Sequence, residues 1–71
     1  MNAYTDTDHK LPTALGWARH FTELLETRHY VVRTPDLKYY SPNDGDLAWS
    51  WAEEEYVIIA RVDTDGKVTL S

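Results

Sequence analysis

The hydrophobic period of this chain changes once, near His29, and that change limits what the chain can fold into. Before it, Ala14, Trp17, Ala18, Phe21, Leu24 and Leu25 recur at spacings of three and four, which places them on one stripe of a helix. Pro12 suits the first turn, where a helix has no use for the N–H that proline lacks. Arg19, His20, Glu23, Glu26 and Thr27 fall on the other side. The periodicity therefore predicts a one-faced helix from Leu11 to about Arg28, with Phe21 at the centre of its buried stripe. After His29, the stretches YVVRT, LKYYS and EYVIIARVD are rich in β-branched and aromatic residues and read as strands.

Turns separate them. SPNDGD at 41–46 reads as a tight turn, because Gly45 can take a positive φ without a Cβ clash. DTDGK at 63–67 reads as the turn of a terminal hairpin that ends in VTLS. In LAWSWAE, bulky Leu47, Trp49 and Trp51 alternate with Ala48, Ser50 and Ala52. That is the period of a strand, and on a helix the two tryptophans would point in very different directions. The expected fold is α+β: one N-terminal amphipathic helix packed on a small antiparallel sheet of about four strands. Residues 1–10 are polar and aperiodic, an arm whose one plausible anchor is Tyr4, and residues 11–71 form a single domain.

With 71 residues and no cysteine, the domain has neither disulfides nor thiolate metal sites to hold it, and little room for a deep pocket with a supporting shell. No run approaches the ~18 apolar residues of a membrane span, and the start lacks the apolar core of a signal peptide. A cytoplasmic protein is the expectation. Catalytic machinery is not expected. Ser41 and Ser50 lack the glycines of a nucleophile elbow, and the scattered His9, His20 and His29 do not converge as metal ligands do. Asp63, Asp65 and Gly66 echo part of a calcium loop, but Lys67 follows and the six to eight oxygens a calcium ion takes are missing. No cofactor, metal or catalytic residue is assigned.

The charge is asymmetric. Of the twelve acids, eight lie in residues 36–65, where Lys38 and Arg61 are the only bases, and the net charge is -5. An acidic domain repels phosphate backbones, so direct nucleic-acid binding is not expected. Glu53, Glu54 and Glu55 sit between two apolar runs and act first as gatekeepers that keep this segment soluble. Tyr39 and Tyr40 must face opposite sides of a strand, which leaves Tyr40 as an exposed candidate. In the run Tyr56 to Val62, Tyr56, Ile58, Ala60 and Val62 are expected to face the helix. Val57 and Ile59, joined by Val31, then form a second apolar face that only a homodimer mate, a target protein or the arm can cover. The expected function is a small acidic, non-enzymatic protein-interaction module of the inhibitor or accessory-subunit kind. Its candidate contact residues are Tyr40, Glu53, Glu54, Glu55, Val57 and Ile59. The alternative is an acidic decoy that mimics nucleic acid in a basic groove of its target.

Overall fold

A computed structural model describes residues 9–71. Tyr4 and the first eight residues of the expected arm lie outside them. The elements are α1 (Leu11–Leu25), β1 (His29–Arg33), β2 (Tyr39–Tyr40), α2 (Asp44–Ala48), β3 (Val57–Val62) and β4 (Val68–Leu70). The four strands form one antiparallel sheet in the order β2-β1-β3-β4. With α1 packed on one side, this is the expected α+β architecture.

Helix α1 carries Pro12 in its first turn and stops at Leu25, because Glu26 takes the left-handed conformation at φ 53°. The Thr27 hydroxyl donates to the Leu25 carbonyl, satisfying one of the groups a helix end leaves unpaired. The buried line of α1 is Ala14, Ala18 and Thr22, spaced four apart. Phe21 is only half-buried, and Leu24 and Leu25 are 62% and 53% exposed. The expected stripe is thus rotated towards the small residues. Small side chains let the helix axis approach the sheet closely, while the larger ones flank the contact. Thr22 can occupy this line because its hydroxyl lies 3.2 Å from Nδ1 of His29, itself buried on β1. A buried hydroxyl with a partner avoids most of its desolvation cost.

The helix-side core unites Ala14 and Ala18 with Val31, Ala60 and Val62, and Leu15, Tyr39, Ile59 and Val68 pack around it. Val31 pairs with Ala60, but the next residue, Val32, pairs with Ile58. Ile59 is therefore the extra residue of a β-bulge, which inverts the inside–outside alternation of the strand before it. Ala60 and Val62 face the helix as expected. Ile58 instead lies on the far face with its partner Val32, while Ile59 and Val31 belong to the helix side.

The chain itself covers part of the far face and leaves Ile58 36% exposed. Val32 is fully buried, and its neighbour across the ladder, Tyr40, meets the ring of Trp51 edge-on at 5.2 Å, with Trp51 on Tyr56 at 5.6 Å. The segment expected to be a strand at 47–51 is a short helix followed by turns, and it supplies this cover. Asn43 caps α2: its side chain accepts from the Asp46 N–H at 2.7 Å, while Asp46 accepts from the Asn43 N–H at 3.1 Å. This reciprocal capping box starts a helix where a hairpin turn was expected, and Gly45 is helical rather than left-handed. No uncovered second face remains at Val31 or Ile59 for a dimer mate.

Candidate functional site

After α2 the backbone descends through consecutive turns. The Trp49 N–H donates to Gly45 O at 3.1 Å, Trp51 N–H to Asp46 O at 2.9 Å, and Glu54 N–H to Trp51 O at 3.0 Å. These bonds separate the two tryptophans of WSW. Trp51 is held half-buried against Tyr40 and Tyr56, and Trp49 projects into solvent at 85% exposure. A large aromatic side chain presented outward from a hydrogen-bonded turn is the kind of residue that binding surfaces use as an anchor.

Beside this turn lies an open cleft of about 600 Å³, lined by Thr34, Pro35, Asp36, Tyr40, Ser50, Trp51, Glu54 and Glu55. Its far wall is the β1–β2 hairpin. There the Thr34 hydroxyl donates to the Asp36 carboxylate. That bond, aided by Lys38 at 3.8 Å, holds the Asp36 carboxyl below its ordinary range and keeps it charged. The cleft thus sets three carboxylates, from Asp36, Glu54 and Glu55, around two aromatic rings, and none of its lining residues is basic. Between Ser41 and Ala60 the chain contains Asp44, Asp46, Glu53, Glu54 and Glu55 and neither lysine nor arginine. Such a surface suits a cationic side chain, which gains both carboxylate pairing and the negative face of a ring.

The structure brings Tyr40, Glu54 and Glu55 together here, with Glu53 exposed on the same turn. Val57 is 53% exposed on β3, just beyond the glutamates. Ile59 stands apart, half-buried against the helix-side core. Tyr40 is not free-standing either, as it is bracketed by Trp51 and by the His9 ring at 4.6 Å. Sequence reasoning missed Trp49 and Asp36. Trp49 was signalled by the Asn43-to-Asp46 capping pattern, since a helix there sends the tryptophans apart. Asp36 had no signal, because only the hairpin pairing brings it opposite Glu54.

Asp44, Asp63 and Asp65 are structurally engaged. Asp63 lies 3.4 Å from Arg28 and 3.3 Å from Arg61, and Asp65 accepts from the Lys67 N–H in the β3–β4 turn. Asp44 accepts from the Tyr30 hydroxyl at 2.6 Å. That bond, with some burial behind it, pushes the Tyr30 phenol above its ordinary range. Among the described residues no group of three histidines or carboxylates is arranged to hold a metal ion. No helix among them is long and apolar enough to cross a membrane. No family model matches the chain, and comparison with curated proteins and with solved structures gives no match either.

Proposed function

We propose that this chain is a non-enzymatic protein-binding module of the cytoplasm, and that it takes a lysine- or arginine-rich segment of another protein into the cleft beside Trp49. The observation that carries this reading is the cleft itself, where Asp36, Glu54 and Glu55 surround Tyr40 and Trp51 with no basic residue in its lining; Asp36 is shared with Lys38 at 3.8 Å, so Glu54 and Glu55 are the main contacts for a cationic side chain. Charge complementarity would steer the encounter and fix the register, while Trp49 would add apolar contact at the edge. A second copy of the chain is a poor occupant, because two such clefts repel each other. A decoy that mimics duplex nucleic acid draws less support. A duplex carries about eighteen charges over a ~30 Å face, whereas this chain has twelve acids in all, and Asp44 and Asp63 are among those already engaged by Arg28.

The test is a photo-crosslinking amino acid placed at position 50, which lines the cleft and leaves Trp49 in place, and, as a control, at position 23 on the exposed side of α1, in extract of the native host. The proposal expects an adduct from position 50 with a protein that carries a basic segment. That adduct should be lost when Glu53, Glu54 and Glu55 are all changed to glutamine, and position 23 should give none. Equal capture from both positions, or capture indifferent to the glutamine triple, would defeat it.

A further inference from the structure

On the other side of β2 a groove of about 310 Å³ runs between α1 and the strand, walled by Trp17 and Phe21 from the helix and by Tyr39 and Tyr40 from the sheet, with the His9 ring against Tyr40. That is the lower end of the size range of small-molecule sites. At its floor is His29, 4% exposed. Nδ1 of His29 lies 2.7 Å from the Thr27 carbonyl oxygen. A carbonyl can only accept, so Nδ1 carries the proton, and in the neutral ring Nε2 is left as a lone-pair acceptor. Among the described residues no other hydrogen bond reaches the ring apart from the Thr22 hydroxyl near Nδ1. No buried polar side-chain atom among the described residues lacks a partner, so the unbonded Nε2 must reach the surface, and the surface that His29 lines is the groove. The groove therefore combines aromatic walls with one almost buried, oriented acceptor.

We infer that this groove binds a small, neutral, planar aromatic molecule bearing an N–H or O–H donor, with its ring against the aromatic lining and the donor on Nε2 of His29. The walls supply ring contacts worth having only for a flat partner. No lysine or arginine lines the groove, and the Asp46 carboxylate there, held by the Asn43 N–H, repels an anionic ligand that would have the His9 ring as its one basic contact in the lining besides His29. A ligand without a donor would strip water from Nε2 and leave it unpaired, which is the basis of discrimination at buried polar atoms. The two sites have Tyr40 in common, but the His29 acceptor takes no part in the acidic cleft, and its loss would leave the partner-binding reading standing.

The experiment uses the full chain and two probes of nearly the same shape: indole, which has the N–H, and benzofuran, which has an oxygen in its place. Binding is followed by NMR at the Trp17 indole and at the His29 ring nitrogens. Indole should give saturable shifts at both, with the ¹⁵N resonance of Nε2 moving and that of Nδ1 staying. Benzofuran should bind about tenfold more weakly, the cost of one unmade hydrogen bond to a buried acceptor. In His29→Phe, which keeps a ring but no acceptor, the two probes should bind alike. If that variant does not fold, the Nε2 shift and the indole-to-benzofuran ratio in the unaltered chain decide the matter. Absence of saturable shifts, equal affinity for both probes, or an Nε2 resonance that does not respond would overturn the inference.

Discussion

Placing a carboxylate on α1 at two positions separates the observed helix face from the one the periodicity suggests. Ala18 is wholly buried at the centre of the helix–sheet contact, whereas Leu24 is 62% exposed. In Ala18→Glu the new carboxyl has no partner and no water, and its side chain is longer than the space allows. An isolated buried carboxyl shifts its pKa upward by some 3–5 units rather than stay charged, and at pH 7 this costs about 3.5 kcal/mol, the work of protonating a group whose unfolded pKa is about 4.3. The oversized side chain adds about 1–3 kcal/mol. A domain of this size is stable by about 4–10 kcal/mol, so Ala18→Glu should lose half or more of its stability at pH 7. Because its folded-state pKa is raised, the loss grows as pH rises above the unfolded carboxyl range and shrinks as pH falls to about 4. Leu24→Glu should change stability by about 0.5 kcal/mol or less, as exposed substitutions do. Circular dichroism melts of both variants at pH 4 and pH 7 provide the assay. If Leu24→Glu proved as damaging as Ala18→Glu, or if Ala18→Glu melted like the unaltered chain, the helix face assigned here would be wrong.

Two smaller effects test the turns. The β1–β2 and β3–β4 hairpins use the same loop geometry, with Leu37 at φ 64° in one and Gly66 at φ 88° in the other. A Cβ on Gly66 would meet nothing within 4 Å, so Gly66→Ala should cost only the left-handed strain, a net of about 1 kcal/mol, read as a lower urea midpoint. A larger loss would mean that the turn is packed rather than open. Asp44→Asn should bring the Tyr30 phenol back down towards its ordinary range in an NMR titration. Since the raised phenol contributes stability that is lost as pH climbs through its folded value, the variant should also be less sensitive to alkaline pH in that window. An unmoved Tyr30 titration would show that the Asp44 contact is not its cause.

The α+β class was legible because the change of period at His29 is strong, and the β3–β4 hairpin because DTDGK supplies Gly66 where a positive φ is needed. The helix face was less so. Leu24 and Leu25 satisfy helical spacing as well as Thr22 does, and only the pairing of the Thr22 hydroxyl with His29, seven residues on, makes a threonine the better core residue. The bulge at Ile59 left no mark in YVIIARV, whose residues are apolar on both faces, so nothing fixed the register. At 47–51 two periods competed, and the local Asn43–Asp46 capping box outweighed an alternation of large and small residues. The acidic turn was visible as a run of glutamates, but its cleft was not, since Asp36 and Glu54 meet only across the folded sheet.

The central claim is that the Trp49 turn and its cleft form the contact surface, and the dissociation constant of the crosslinked partner measures it most directly. Trp49 is almost fully exposed, so Trp49→Ala should leave the melting curve unchanged while weakening the partner by about thirtyfold, the effect of an interface anchor worth ~2 kcal/mol. An unchanged dissociation constant in a folded Trp49→Ala protein would place the contact elsewhere on the molecule.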